Sequence, residues 1–165
     1  GQLIRTKWNE SDCNREEWHI SAERMKMKKP HIVPLSRQAL YILKDIHKIT
    51  GERPYIFYSS RSKSRHMSNG AVLMALRRMG YEKKMTGHGF RTLASTILNE
   101  KGYNPDANER QLAHADKDKI RSAYNHAEYL LERKKMMQDY AEILDRMKEG
   151  GGNVIDRKFE QKAAK

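Results

Sequence analysis

His88 and Arg91 lie three residues apart at the start of a predicted helix. Apolar residues follow at helical spacing over residues 90–98, which predicts an amphipathic helix that begins near Gly89. Residues three apart share one side of a helical turn, and the unpaired backbone N–H groups of a helix start favour an anion. A histidine and an arginine there could bind a phosphate. The short motif alone also fits an ordinary core helix with a polar face.

Three more residues with suitable chemistry lie elsewhere in the chain. His114 ends the run Gln-Leu-Ala-His, and Tyr124 follows ten residues later in Ala-Tyr-Asn. Lys26 lies in a strongly basic segment well before them. Each has a plainer interpretation: His114 could cap a helix end, and Tyr124 could pack between helices with its hydroxyl bonded.

The composition of the chain limits its partners. The 165 residues contain 33 Lys plus Arg against 21 Asp plus Glu, a formal net charge of +12. A positively charged protein of this kind suits an acidic polymer, and DNA or RNA fits best. Hydrophobic residues make up only 38%, and no apolar run approaches a membrane span, so no membrane partner is expected. Cys13 is the only cysteine, which excludes an intrachain disulfide and favours a cytoplasmic setting.

The hydrophobic pattern predicts a mainly helical α+β domain. Residues 17–22 and 31–35 read as strands that pair as a hairpin with a long basic tip. Pro30 and Pro34 would place the second strand at a sheet edge. The other predicted elements are a helix end within residues 1–12, a helix over 37–49 capped by Ser36, a short strand or extended segment at 55–58, a basic loop at 59–65, and helices over 68–79, 88–101, 105–112, 117–129 and 130–147.

Residues 150–165 are expected to form a flexible tail, because three consecutive glycines open it.

The inward faces of the predicted helices follow from the spacing of their apolar residues. We expect these side chains to face the core: Val72, Leu73, Leu76 and Met79 on the 68–79 helix; Phe90, Leu93, Ala94, Ile97 and Leu98 on the 88–101 helix; Ala107, Gln111 and Leu112 on the helix opened by Pro105.

In order and spacing, these features resemble the tyrosine recombinases, the phage integrase family. The resemblance covers roughly residues 1–148 and is nearest to the branch carried by satellite prophages and genomic islands. Each motif alone is weak, but the ordered set is specific. It consists of the basic stretch 22–31 with Lys26, Val33-Pro34-Leu35-Ser36, His88-Gly89-Phe90-Arg91, Leu112-Ala113-His114 and the segment 123–129 with Tyr124.

The resemblance implies a catalytic domain over residues 1–149 with a small antiparallel sheet. The family cuts DNA by attack of a tyrosine on a phosphodiester, which leaves a 3′-phosphotyrosine and a free 5′-hydroxyl, and it uses no metal or other cofactor. Fixed cations and hydrogen-bond donors must then stabilise the added negative charge. The resemblance assigns Tyr124 as nucleophile, Arg91 as the second arginine of the phosphate clamp, His88 as donor and proton-transfer group, His114 as donor to a non-bridging oxygen, and Lys26 as proton donor to the leaving 5′-oxygen.

Some of these assignments have competitors. Lys28 and Lys29 adjoin Lys26, and Tyr129 lies five residues after Tyr124. The usual glycine of Leu-Gly-His is Ala113 here, a replacement common in this branch. Side chains expected to contact the DNA backbone, giving affinity rather than sequence choice, are Lys28, Lys29, Arg61, Lys63 and Arg65.

The partners implied are a double-stranded DNA attachment site and other integrase protomers in a synaptic tetramer. A host DNA-bending protein and a directionality factor are further candidates, and the expected location is the bacterial nucleoid in the cytoplasm. Three other functions fit parts of the pattern: a non-catalytic DNA-binding module or regulator, an RNA-binding protein, and a type IB topoisomerase.

One departure from the family pattern predicts a measurable defect. The first clamp arginine of the family precedes a helix in an Arg-Pro-Gly-type turn, and residues 1–8 resemble the segment directly after that turn. We therefore expect the arginine two positions before Gly1; Arg5 lies one helical turn too late to replace it. The arm-binding and core-binding domains of the family have no counterpart in these residues.

We predict that the 165-residue chain tested alone forms little or no covalent DNA adduct, because half of the arginine clamp is missing. The measurement is covalent trapping on a nicked suicide duplex. Robust trapping by this chain would contradict the prediction.

Overall fold

The computed structural model describes residues 1–59, 61–113 and 129–150. The chain divides into two compact units, Gly1–Phe90 and Arg91–Lys165. The described elements are mainly helices, with small antiparallel sheets in the first unit. The α+β class expected from the sequence is therefore confirmed. The helix predicted over residues 117–129 and the predicted tail lie almost entirely outside the described residues.

A three-stranded antiparallel sheet organises the start of the first unit. Its strands are β1 (Ser11–Asp12), β2 (Glu17–Ile20) and β3 (His31–Pro34), in the order β1-β2-β3. Trp18 pairs with Val33 in the register between β2 and β3. The predicted hairpin is confirmed, and β3 is an edge strand, as its prolines require.

The first ten residues form two single 3-10 turns, Leu3–Arg5 and Trp8–Glu10, rather than the expected helix end. The hydroxyl of Thr6 donates to the carbonyl of Leu3 at 2.7 Å, and Thr6 itself is extended. A side chain that bonds a carbonyl of the preceding turn competes with continuation of the helix. The 3-10 helix Leu3–Arg5 therefore ends after a single turn.

Helix α1 (Arg37–Thr50) follows β3 and is capped as predicted. The Ser36 hydroxyl accepts the backbone N–H of Ala39 at 3.2 Å, which satisfies one of the unpaired donors of the helix start. At the other end, the Trp8 indole N–H donates to the Thr50 carbonyl at 2.9 Å. This bond ties the C-terminus of α1 to the second 3-10 turn.

The prediction of a basic loop at residues 59–65 is wrong. Strands β4 (Tyr58–Ser59) and β5 (Ser62–His66) pair antiparallel there. The strand predicted at residues 55–58 is reduced to its last residue, although Ile56 is only 2% exposed. Strands this short and this polar carry no apolar alternation, so the sequence pattern could not distinguish them from a loop.

Helix α2 (Ala71–Arg78) buries fewer of its side chains against the rest of the first unit than predicted. Its N-cap is Gly70 rather than Ser68, and no side chain caps it. Leu76 is 5% exposed, but Leu73 and Met79 are 39% and 62% exposed, so the expected inward face is wrong at those two positions. The eight-residue helix buries one large side chain, Leu76, and leaves Val72 partly exposed.

Three helices form the described part of the second unit: α3 (Gly89–Glu100), α4 (Pro105–Gln111) and α5 (Leu130–Lys148). Helix α3 begins in the last two residues of the first unit. Gly102, at φ +75°, follows α3 as predicted. The apolar residues buried most deeply are Ile97, Leu98, Ala107 and Met136. Phe90 and Leu93 were expected inside but are 48% and 39% exposed.

Polar side chains join these helices inside the second unit. Asn108 on α4 is 1% exposed and donates its amide to the Ser95 carbonyl at 3.3 Å and to Asn99 at 3.1 Å. The Tyr103 hydroxyl donates to the carboxylate of Asp139 on α5. Burial, and then this hydrogen bond, raise the pKa of the Tyr103 hydroxyl well above its usual value.

A membrane-spanning helix needs a long apolar stretch, and no helix in the described part of the chain has one.

Candidate active site

Lys26 lies in a tight turn between a single 3-10 turn (Ala22–Arg24) and β3. The backbone N–H of Lys28 donates to the Met25 carbonyl at 3.0 Å and closes the turn. Met25 is 7% exposed and points into the first unit, whereas Lys26 is exposed. Lys28 takes the left-handed conformation, with φ +52°. The turn thus buries the residue before Lys26 and holds the ammonium in solvent.

Arg24 anchors the base of this turn to the first ten residues. Its guanidinium donates through Nη1 to the Glu10 carboxylate and through Nη2 to the Gln2 carbonyl at 2.7 Å. The side chains of Arg24 and Glu10 are only 20% and 16% exposed. A planar guanidinium that bonds two acceptors fixes direction as well as distance. Arg24 therefore fixes the position from which Lys26 extends.

The partners of the Glu10 carboxyl lower its pKa. Burial alone would raise its pKa, but hydrogen bonds from the Arg24 guanidinium and the Lys7 backbone N–H, with the charge of Arg24, hold that pKa below the usual value. The Lys7 bond is 3.1 Å long. The ion pair below the Lys26 turn therefore persists at neutral pH.

His88 is exposed and directly precedes helix α3. The hydroxyl of Thr86 accepts the backbone N–H of Gly89 at 3.0 Å, as a side-chain cap does at a helix start. His88 therefore lies at the N-terminal end of α3 beside amide groups that favour an anion. This is the position that the sequence pattern predicted.

Arg91 occupies the first turn of α3 and is half-buried. Its guanidinium donates through Nη2 to the backbone carbonyl of Leu112, the residue that follows α4. A peptide carbonyl is a neutral acceptor, so this bond orients the guanidinium without cancelling its charge. Arginine carries five N–H donors, so one such bond leaves donors for the oxygens of a phosphate.

Ala113 follows Leu112 in the left-handed conformation, at φ +52°. Only glycine takes this conformation at no cost, and helices commonly end in it with glycine. The backbone geometry explains why the resemblance places glycine here. The alanine of this chain adopts the same turn with some strain.

Two of the five predicted catalytic residues, His114 and Tyr124, lie outside the described residues. The structure describes Lys26 and His88 in the first unit and Arg91 at the start of the second. Of the side chains predicted to contact the DNA backbone, Lys28, Lys29, Arg61 and Arg65 are exposed, and Lys63 belongs to β5 with Arg65.

The described residues of the predicted site lie outside two surface cavities found in the described part of the chain. Two surface cavities of about 570 and 530 Å³ lie at the C-terminal end of α1 and beside β1, and neither contains a predicted site residue. In the described part of the chain, no three His, Cys, Asp or Glu side chains converge in a way that could hold a metal ion. An open basic surface suits a polymer better than a small molecule.

The side chains that hold the Lys26 turn and the end of α4 in place were not expected from the sequence. Glu10 and Arg24 lie in segments without clear periodicity, so nothing in the sequence marked their pairing. Arg133 on α5, which is 2% exposed and bonded to Gln111, did leave a signal. It lies three residues before the buried Met136, so it falls on the apolar stripe of its helix.

A comparison with family models matches residues 1–130 to the phage integrase family. Curated relatives agree: prophage integrase IntA of Escherichia coli K12 is 43% identical over 87% of the chain, and prophage integrase IntZ of the same strain is 45% identical over 94%. The integrase of enterobacteria phage P4 is 42% identical over 87%. The chain spans 35%, 38% and 36% of these three proteins, respectively. No solved structure gives a significant match.

We predict that Glu10→Gln lowers the free energy of unfolding at pH 7 by about 1 kcal/mol, because it removes the charge that Arg24 bonds. The pKa of Glu10 is lowered in the folded chain, so its contribution is present above the ordinary value of 4.5 and disappears as the pH falls through the lower folded value. Urea denaturation at several pH values measures it. Asp45→Asn, which breaks an exposed pair with Lys48, is the control and should change little; a constant difference down to pH 3 would contradict the assignment.

We predict that Ala113→Gly raises the free energy of unfolding by up to about 1 kcal/mol, because relief of the left-handed strain exceeds the entropy that glycine adds to the unfolded chain. Thermal and urea denaturation provide the measurement. Ala75→Gly, at an exposed helical position of α2, is the matched control and should cost about 1 kcal/mol. Equal destabilisation by both variants would show that Ala113 carries no strain.

Proposed function

The chain belongs to the phage integrase family, and from that premise we propose that it is the catalytic domain of a site-specific DNA recombinase. The proposed reaction cuts and rejoins DNA strands through a 3′-phosphotyrosine intermediate. The proposed setting is the integration and excision of a prophage or genomic island. Residues 1–149 would form this domain, with residues 150–165 as a flexible tail.

The observation that carries this proposal is the family match over residues 1–130, which contains every residue of the predicted catalytic set. Relatives named as prophage integrases, at 43% and 45% identity, support the same reaction class. The net charge of +12 supports DNA as the substrate.

The proposed step is an in-line displacement at phosphorus. The Tyr124 oxygen attacks the scissile phosphate while its hydroxyl proton passes to His88, the bond to the 5′-oxygen breaks, and Lys26 gives that oxygen a proton. His88 suits this proton transfer, because a neutral imidazole has one nitrogen that accepts a proton and one that donates. The reverse step, with the 5′-hydroxyl of another strand, releases Tyr124 and joins the strands. Atoms and charges balance without any co-reactant.

Charge stabilisation would come from side chains held by the protein. The Arg91 guanidinium, oriented by the Leu112 carbonyl, keeps its positive charge for the phosphate oxygens. His114 would donate to a non-bridging oxygen. The exposed ammonium of Lys26, on a turn anchored by Arg24 and Met25, suits a proton donor that must reach a bound strand.

The partners of the proposed reaction are an attachment-site duplex and other integrase protomers, which would form a synaptic tetramer. A host DNA-bending protein and a directionality factor are proposed as further partners. The reaction would take place on the bacterial nucleoid in the cytoplasm. Lys28, Lys29, Arg61, Lys63 and Arg65 are proposed to contact the sugar-phosphate backbone.

The second candidate function is a non-catalytic DNA-binding module or regulator with the same basic surface. The charge alone would support it equally well, since net charge speaks to association and not to chemistry. The two candidates differ in one result. Only a recombinase forms a covalent bond to DNA.

We predict that Tyr124→Phe abolishes covalent adduct formation by the complete gene product that contains these residues, because the nucleophilic oxygen is gone. The substrate is a duplex from a junction between host DNA and the element encoding the chain, nicked so that the cleaved end is lost. Denaturing electrophoresis detects the adduct. DNA affinity should stay within about twofold of wild type, since one hydroxyl contributes little to phosphate binding.

Tyr129→Phe is the matched control, because Tyr129 is the competing nucleophile five residues on, and it should form adduct at the wild-type rate. If Tyr124→Phe still forms adduct and Tyr129→Phe does not, the assignment of the nucleophile is wrong. If wild type binds the junction and never forms adduct, the non-catalytic function replaces the recombinase.

A further inference from the structure

Arg133 is a buried charge that the proposed reaction does not use. It lies in the first turns of α5 and is 2% exposed. Burial, and the neighbouring charge of Arg110, lower the pKa of its guanidinium to about 10. An apolar side chain of similar volume would often serve stability at least as well as a buried ion. A buried arginine is therefore better explained by the geometry that it imposes.

The guanidinium of Arg133 holds the end of α4. Its Nε and Nη2 both donate to the side-chain oxygen of Gln111, at 2.9 and 2.8 Å. Gln111 is the last residue of α4, and its side chain is half-buried. Two N–H groups of one planar group, directed at one oxygen, restrict the amide in position and orientation. The end of α4 is thereby fixed to the start of α5.

The residue after Gln111 orients the predicted phosphate-clamp arginine. Leu112 is 9% exposed, and its carbonyl accepts the Arg91 guanidinium. Two arginines from different helices thus bond consecutive residues: Arg133 bonds the side chain of Gln111, and Arg91 bonds the backbone of Leu112. A shift of Gln111 would move the carbonyl that directs Arg91. Misplacement of a catalytic group by about 1 Å can cost two orders of magnitude in rate.

We propose that Arg133 is a positioning residue, which acts through Gln111 to fix the Leu112 carbonyl and so the direction of the Arg91 guanidinium. This inference rests on the proposed function, because the direction of Arg91 affects a rate only if Arg91 binds the scissile phosphate. Arg133 itself contacts no DNA in this role. Its removal should slow the chemical step and leave DNA binding intact.

The test compares wild type with Arg133→Met, Arg133→Lys, Gln111→Ala and the Arg133→Met/Gln111→Ala double variant, all in the complete gene product. Single-turnover adduct formation on the nicked junction duplex is measured at saturating protein, and affinity is measured separately in a Tyr124→Phe background. We expect Arg133→Met and Gln111→Ala each to slow adduct formation about tenfold or more, with affinity within about twofold of wild type. The double variant should be no slower than the slower single variant, because both changes break one connection.

Two comparisons separate positioning from a general loss of stability. Arg146→Met makes the same substitution at an exposed site of α5 and should cleave at the wild-type rate. Arg133→Lys keeps the charge but lacks the planar fork, so its rate should fall between those of wild type and Arg133→Met. Should Arg133→Met fail to fold, as its melting curve would show, Gln111→Ala and Arg133→Lys decide the question, because both keep the buried cation and their own melting curves show whether the fold is intact.

The outcomes distinguish this inference from the proposed function. If wild type cleaves and Gln111→Ala cleaves equally fast, the positioning role is wrong and the recombinase proposal stands. Parallel loss of affinity and cleavage in the single variants, or additive losses in the double variant, would also overturn the positioning role. If wild type forms no adduct at all, the proposed function itself fails.

Discussion

The hydrogen bond from Arg91 to the Leu112 carbonyl joins the start of α3 to the end of α4, and the chemistry proposed for the second unit depends on it. A transition state that gains negative charge needs cations that are fixed in place and still charged. A carboxylate would fix Arg91 but neutralise it, whereas a peptide carbonyl orients it and leaves the charge available. The helices α3, α4 and α5, with their buried Ile97, Ala107 and Met136, hold the carbonyl and the arginine at one distance.

Much of the architecture could be predicted because local signals were strong. The β2–β3 hairpin followed from two apolar stretches on either side of a basic segment, α1 from the Ser36 cap, and the end of α3 from Gly102. The β4–β5 pairing could not, because its residues are polar and its strands are short. The exposure of Met79 could not either, since helical spacing shows which side chains share a face and not how much of that face is covered.

Some features of the candidate site could be predicted from sequence spacing, whereas others are visible only in the three-dimensional structure. His88 and Arg91 could be placed at the start of one helix because their separation matches a helical turn. The residues that support the site could not be predicted, because Glu10 reaches Arg24 from 14 positions away and Gln111 reaches Arg133 from 22. Long-range side-chain pairs of this kind leave no periodic trace. A charged residue on an apolar stripe, as with Arg133, is the one local signal that such a pair produces.

The left-handed backbone at Lys28 limits how the turn beside Lys26 can change over evolutionary time. Asparagine, aspartate and glycine enter this conformation readily, and valine, isoleucine and proline are nearly excluded from it. Neutral drift at position 28 is therefore channelled towards small polar replacements, each of which would discard a cation. The backbone conformation at position 28 and the DNA contact proposed for its side chain favour different residues, and the lysine keeps the cation at a conformational cost.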